Sequence, residues 1–467
     1  MTDRLSPTDA AFLYAEDATT PMHVGGVVVL RPDGEFDYQR IIGLIADRLA
    51  LVPRYRQKVR FVPGRLARPV WVDDEHFDLT YHVRRSSLPR PGTPEQLDEL
   101  VGRLISRPLD RSRPLWELYI VEGLADGRVA LVNKTHESMV DRAGAVDVAA
   151  AILDVTRRPR QTAQTPWMPA PAPSNVDLVV DAVADLAARP TEALDAARLV
   201  AVDLRSTLSG LLDAGMAMAE VARRALSTNA RSALSVPVSG PRLFATAEAD
   251  LDTVKRIRAA HGGTVNDVIL AVITGATRSW LLSRGDPVSG GSGLRALAPM
   301  SVRPDTAGEP AGVASYLLDL PVGEPNPVMR LHQVSYAMQS HLESGRQLGA
   351  NTLLSLGRFA PPTLHAMGAR VAGQLSRRSY DMLITNVPGP QVPLYAAGLP
   401  VTAMYPVVPL VKGQAVAVGC TSYRGRVYFG LTADRDAMPD AGEFAVLLSE
   451  AVQELADAVP AGRNSSR

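Results

Sequence analysis

Residues 131–153 read LVNKTHESMVDRAGAVDVAAAIL. The stretch opens as a strand, because Arg128 to Thr135 is rich in β-formers and follows a turn at Ala125-Asp126-Gly127. It closes as a helix, since Ala143, Val146, Ala150 and Leu153 recur at helical spacing. Between the two sit His136, Glu137, Asp141 and Arg142. Titratable side chains between a strand and an apolar helix have rigid scaffold on both sides, which suits chemistry. They also have ordinary uses: Asp141 would cap the helix, and Glu137 would favour its positive end.

Working outward, the chain alternates strand and helix signals. Val24 to Leu30 is a continuous apolar strand and Phe36 to Leu51 an amphipathic helix. Phe61 to Val72 and Phe77 to Arg84 read as short strands, Pro94 to Ser106 as a helix, and Leu115 to Val121 as a strand beside the central one. Residues 157–175, RRPRQTAQTPWMPAPAPSN, hold five prolines and no apolar period, which marks an extended linker. From Val176 to Ala233 the chain is Ala-rich, with helical spacing broken at Pro190. These helices either pack between domains or lie on a membrane. Six arginines without an aromatic anchor favour packing.

A second α/β region starts at Ser239-Gly240-Pro241. Helices are expected at Leu251–His261, Thr264–Leu282, Pro327–Gly345, Asn351–Gln374 and Ala441–Ala458. Strands are expected at Ala296–Val302, Ala314–Leu320 and Tyr380–Asn386, with a hairpin of Ala415–Tyr423 and Arg426–Thr432 turning at Arg424-Gly425. The expected division is an N-terminal domain at 1–160, a linker with connecting helices at 161–238, and a C-terminal domain at 239–467.

Composition narrows the function classes. With 467 residues there is chain for two cores, and 46% hydrophobic with 21% charged residues is ordinary for a globular protein. Zero net charge argues against non-specific nucleic-acid binding, which needs a basic field. The single cysteine, Cys420, lies in an apolar run and reads as a small core residue rather than a nucleophile. The opening, MTDRLSPTDAAFLYAED, lacks the apolar segment of a signal peptide, and no apolar run reaches the roughly 18 residues of a spanning helix. No metal cluster, phosphate-binding glycine loop or Ser-His-Asp order stands out.

Lys134 to Arg142, KTHESMVDR, resembles the HHxxxDG signature of the bacterial wax ester synthase/diacylglycerol acyltransferase family, within the CoA-dependent acyltransferases and peptide-synthetase condensation domains. Other landmarks follow the family in order: Leu5-Ser6-Pro7-Thr8-Asp9, Pro21-Met22-His23-Val24-Gly25-Gly26, Pro114-Leu115-Trp116-Glu117, Gly263 to Val268, Asn386-Val387-Pro388-Gly389-Pro390, and Leu431 to Asp436. His136 matches the first His of the signature. Glu137 stands where the second His, the family's general base, would be, and Arg142 replaces the Gly.

The resemblance implies two chloramphenicol-acetyltransferase-like α/β sandwich domains with the active site in a tunnel between them. It implies acyl transfer from acyl-CoA to diacylglycerol, giving triacylglycerol, with no cofactor beyond acyl-CoA as substrate. Two alternatives stand beside this: a wax ester synthase using a fatty alcohol, and an impaired member that binds acyl-CoA or neutral lipid without turnover. The expected location is cytoplasmic, peripheral to the inner membrane or lipid droplets. Glu137, His136 and Asp141 are the candidate catalytic residues. Arg295 or Arg303 are candidate ion-pair partners for Asp141, and Arg142 for Glu137. Arg142, Asn266, Asn386 and Gly389 are candidate substrate-binding residues, while Asn266-Asp267 also reads as a helix cap. A hydroxyl needs a base to take its proton as it attacks a thioester, and such a base contributes about 10²- to 10⁴-fold. A carboxylate can serve when burial in an apolar tunnel raises its basicity. Its negative charge near the developing oxyanion opposes that gain.

Overall fold

The computed structural model describes residues 3–140, 151–160, 166–188, 233–302, 312–343 and 380–460. The first half contains β1 (Asp3–Arg4), α1 (Pro7–Ala15), β2 (His23–Leu30), α2 (Tyr38–Arg48), β3 (Gln57–Arg60), β4 (Val70–Asp73), α3 (Leu79–His82), β5 (Val83–Ser87), α4 (Pro94–Ser106), β6 (Trp116–Glu122), β7 (Val129–His136), β8 (Leu153–Asp154) and α5 (Asn175–Ala188). The second contains β9 (Arg242–Asp250), α6 (Leu251–His261), α7 (Val265–Ser283), β10 (Leu294–Val302), β11 (Gly312–Leu320), α8 (Pro327–Glu343), β12 (Met382–Val387), β13 (Tyr395–Ala396), β14 (Leu399–Val407), β15 (Val416–Tyr423), β16 (Arg426–Asp434) and α9 (Ala441–Asp457).

The central strand β7 is buried along its whole length, so both of its faces are covered and its sequence is nearly all apolar until Asn133. It lies between β6 and β2 in a seven-stranded sheet ordered β5-β6-β7-β2-β14-β13-β8. A six-stranded sheet in the second half runs β11-β10-β12-β15-β16-β9, and β1-β4-β3 form a small third sheet. Each large sheet carries its own buried core, and Ile120, Val132, Ile273 and Val418 are all fully enclosed. Enclosing each such side chain stabilises the fold by about 1.5–3 kcal/mol.

The two halves exchange material. Strand β14 leaves the second half and pairs antiparallel with β2, from Val401 opposite Leu30 to Val407 opposite Gly25. Its sequence, LPVTAMYPV, carries Pro400 and Pro406, which argue against a strand, and no sequence signal marks it. Strand β9 also lacks a sequence signal, because its RLFATAEAD alternates on alanine rather than on strong β-formers. It runs antiparallel to β16 and receives α4 on its face. There Gly102 lets the backbones close: a Cβ would meet the Arg242 carbonyl oxygen at 3.0 Å.

Two short strands fall differently from the expectation. Val59 and Trp71 pair in a hairpin, but the chain between β3 and β4 turns at Pro63–Arg65, with Gly64 at φ 64°. The Phe77–Arg84 segment begins as a helical turn, because the Asp78 carboxylate accepts the Thr80 N–H at 2.9 Å. Strand β5 follows it. The helix expected at 351–374, the one expected after Asp141, and most of the Ala-rich stretch lie outside the described residues. Helix α7 is long and apolar enough by composition to cross a membrane, yet 72% of that span is buried inside the protein, where it serves as a core helix.

Candidate functional site

The site is built at the end of β7. The pairing with β2 places His136 opposite His23, and both are buried. The His136 N–H donates to the Leu115 carbonyl at 2.9 Å, and the Glu137 N–H donates to the Met22 carbonyl at 2.8 Å. Glu137 then opens a single 3₁₀ turn, Glu137–Met139, and is itself half-buried. Asp141 and Arg142 lie outside the described residues, as does Arg303, so neither ion pair expected for them is described.

His136 is bonded at one ring nitrogen and faces a carboxylate with the other. Its Nδ1 accepts the Ser138 N–H at 3.0 Å and lies 2.7 Å from the Ser138 hydroxyl. With Nδ1 accepting, Nε2 is the ring nitrogen that carries the proton. Nε2 faces the Glu16 carboxylate at 3.5 Å, near enough for charge attraction but beyond a well-formed hydrogen bond. Burial alone would raise the Glu16 carboxyl, but His136 and the Arg111 guanidinium outweigh it and hold the group at about 2. His23, edge-on to His136 at 6.4 Å, is pushed down to about 3 by burial, then by the Lys134 ammonium and His136.

The Pro114-Leu115-Trp116-Glu117 stretch supports the central strand as the sequence suggests. Glu117 on β6 sits opposite Lys134 on β7 in register. The Lys134 ammonium reaches the Glu117 carboxylate at 2.9 Å and donates to the Leu104 and Arg107 carbonyls at 3.2 and 3.0 Å. Trp116 is fully buried, donates from Nε1 to the Tyr55 carbonyl at 2.8 Å and stacks on His82 at 4.6 Å.

In the second half the structure brings two of the candidate binding residues together. Asn386, at the end of β12, donates from Nδ2 to Asn266 Oδ1 at 3.1 Å. Asn266 lies in the first turn of α7, whose cap is Thr264. Its partner in the capping box is Asp267, which takes the Thr264 N–H at 2.8 Å and the Ser335 hydroxyl at 3.1 Å. Gly389 packs against β15 so closely that a Cβ would stand 2.2 Å from the Ser422 carbonyl oxygen. The backbone N–H of Arg295 donates to the Asp381 carboxylate at 2.9 Å. Cys420 is buried, and burial pushes its thiol up, so it is a core side chain. Among the described residues no group of three His, Cys, Asp or Glu side chains is placed to hold a metal.

Local sequence reading passed over Glu16, Arg111 and Ser138. Glu16 meets His136, and Arg111 meets Glu16, only through the tertiary fold, while Ser138 lies within the HESMVDR run without a role of its own in the signature. The helix cap at Ser6-Pro7 signals where α1 starts, but nothing local signals that it ends at Ala15 with Glu16 as its C-cap.

Comparison with known proteins places this arrangement. Residues 5–269 match the wax ester synthase/diacylglycerol acyltransferase catalytic domain, and residues 312–456 match the WS/DGAT C-terminal domain. The chain is 34% identical over 463 residues to the "Probable diacylglycerol O-acyltransferase tgs1" of Mycobacterium tuberculosis, covering 97% of this chain and 96% of that one. Its fold superposes on the wax ester synthase/diacylglycerol acyltransferase of Marinobacter aquaeolei VT8 with a TM-score of 0.68, at 27% identity, over 98% of this chain and 100% of that one. The first condensation domain of the calcium-dependent antibiotic synthetase shares the fold, with a TM-score of 0.55 at 13% identity over 98% of each chain.

Proposed function

The chain belongs to the wax ester synthase/diacylglycerol acyltransferase family, and we infer from this that it moves a fatty acyl group from acyl-CoA to diacylglycerol to form triacylglycerol. Acyl-CoA and an acceptor lipid are its substrates. The observation that carries the reading to this chain is Glu137, presented at the end of a buried central strand where the family has its basic histidine. In this reading the acceptor hydroxyl attacks the thioester carbonyl while Glu137 takes its proton. The collapse of the tetrahedral intermediate expels the CoA thiolate, which recovers that proton. The intermediate's oxyanion needs donors, and we assign that part to the side-chain amides of Asn266 at the start of α7 and Asn386 at the end of β12, which bond each other. His136, bonded at Nδ1 and facing Glu16 at Nε2, holds the strand end. Asp141 is assigned to shaping the loop after the turn.

A second reading is favoured by the same residue. A carboxylate replaces the family's imidazole at this position, so a protein that binds acyl-CoA or neutral lipid without turnover fits the same architecture. We place the protein in the cytoplasm, at the surface of the inner membrane or of lipid droplets.

The test is CoA release from palmitoyl-CoA with diacylglycerol or a fatty alcohol. Wild type is expected to turn over with diacylglycerol, and Glu137→Ala to lose about 10²-fold or more, as befits a general base. A silent wild type that Glu137→His switches on would establish the binding reading instead. Preference for the fatty alcohol would establish a wax ester synthase.

A further inference from the structure

We propose that Glu16, anchored by Arg111, is a positioning residue of the active site: it grips His136 and thereby sets the strand end from which Glu137 is presented. The inference deepens the proposed function and rests on its assignment of Glu137.

The sequence prepares this contact far from the signature. Ser6 caps α1, accepting the Asp9 N–H at 3.1 Å, with Pro7 in the first turn. The helix ends at Ala15, and Glu16 is its C-cap, donating its N–H to the Phe12 carbonyl at 3.1 Å in extended geometry. That ending throws the carboxylate toward the 3₁₀ turn at Glu137–Met139. Arg111 fixes it from the other side. Its Nε donates to Glu16 Oε2 at 3.1 Å, a second guanidinium nitrogen closes on the same oxygen, and the guanidinium also takes the Leu13 carbonyl at 3.2 Å. The Glu16 side chain is 7% exposed and that of His136 1%, so water does not screen their attraction.

The array runs Arg111, Glu16, His136, Ser138: hydrogen bonds join its two ends, and a 3.5 Å electrostatic contact between Glu16 and Nε2 of His136 joins the middle. His136 and then Arg111 favour the carboxylate form of Glu16, the carboxylate faces Nε2 of His136, and Nδ1 accepts the backbone N–H of Ser138. The last bond spans Glu137, since His136 and Ser138 flank it. Rotation of the imidazole would release the Ser138 N–H and let the turn swing. A displacement of about 1 Å in a reacting group costs about 10²-fold in rate, so a loosened turn reads out in kcat.

The experiment uses the full chain and three variants: Glu16→Gln, which keeps shape and removes charge, Glu16→Ala, and Arg111→Met. Turnover of palmitoyl-CoA and diacylglycerol is measured alone and in a Glu137→Ala background, with melting curves for folding. Imidazole nitrogen NMR of selectively labelled histidine, assigned with His136→Gln, reports the tautomer of His136. The expected result is a kcat lowered about 10²-fold in Glu16→Ala and about tenfold in Glu16→Gln, with KM for palmitoyl-CoA unchanged. The His136 signal should leave the Nε2–H form, and the loss should vanish when Glu137 is already alanine. Unchanged kcat with an unchanged tautomer would overturn the proposal, as would a loss fully additive with Glu137→Ala. If wild type itself is silent, the acyltransfer reading fails on its own. The NMR signal then decides for Glu16 alone: a shifted tautomer upholds the grip, and an unshifted one removes it.

Discussion

Lys134 lies 2.9 Å from Glu117 across the β7–β6 pair, and the two side chains are 2% and 7% exposed. Their environments differ. Glu117 has further partners in Arg84 at 3.1 Å and the Tyr119 hydroxyl at 2.8 Å. Lys134 has the Leu104 and Arg107 carbonyls, and burial pulls its ammonium below the usual lysine range. Removing one member strands the other, at a cost of about 3–5 kcal/mol for a buried pair. Glu117→Ala leaves a buried cation with only dipoles, whereas Lys134→Met leaves a carboxylate still bound by Arg84. Glu117→Ala is therefore expected to lower the urea unfolding midpoint more than Lys134→Met. The reverse order would show that the Lys134 side matters more.

The Asn386–Asn266 bond predicts coupling between β12 and α7. If the two amides act as one unit, Asn266→Ala and Asn386→Ala each lower CoA release by about tenfold or more, and the double variant falls no further than the worse single. Independent, multiplying losses would separate their roles. Gly389→Ala tests the turn beyond Asn386. Its Cβ would approach the Ser422 carbonyl oxygen at 2.2 Å, so the turn must move away from β15. A drop of about 1–3 kcal/mol in stability is expected from such overpacking.

Much of this architecture can be read from local pattern. Helix α4 starts at Pro94 and ends at Ser106 as its period suggests, because Thr93 and Gln96 form a capping box and Leu97, Val101, Leu104 and Ile105 face inward. The hairpin at Arg424-Gly425 is equally local: both residues take positive φ, at 45° and 78°. What local pattern misses is whatever depends on a distant partner. Strand β14 is made a strand by β2, against the bias of its two prolines. Glu16 is made a site residue by the way α1 docks on the turn after β7. The HESMVDR run announces where the chemistry lies, but not which side chains hold His136 in place.

Glu16 also predicts an acid limit. Its carboxyl is held at about 2 in the native protein, against an ordinary value of 4.5. A depressed native pKa contributes stability that is present above the unfolded value and is lost as pH falls through the native one. The window therefore runs from about 4.5 down to about 2. Wild type should be more stable than Glu16→Gln near pH 6, and the difference should shrink steadily below about pH 4.5. Urea midpoints of the two proteins across that range give the measurement. A constant offset would mean that the carboxylate's charge is not what Glu16 contributes.

Asp98 has the opposite sign. It lies on α4 where that helix meets β9 of the second half, and its Oδ2 accepts both the N–H and the hydroxyl of Thr246 at 3.1 Å. Burial raises its carboxyl to about 7, overcoming the two Thr246 bonds, with Glu95 adding to the rise. Between about 4 and about 7 the native state then holds a proton that the unfolded chain has released. The associated stability is full below about 4 and is lost as pH climbs through 7. Above that, a charged carboxylate sits between the halves with no cation among its hydrogen-bond partners. Asp98→Asn keeps an acceptor for Thr246 and cannot ionise. The variant should melt higher than wild type near pH 8, by a margin that narrows toward about pH 5. Calorimetry at several pH values measures this directly. Equal offsets at all pH values would mean that Asp98 does not titrate between the halves. A margin that widened toward acid would mean that it titrates with the opposite sign.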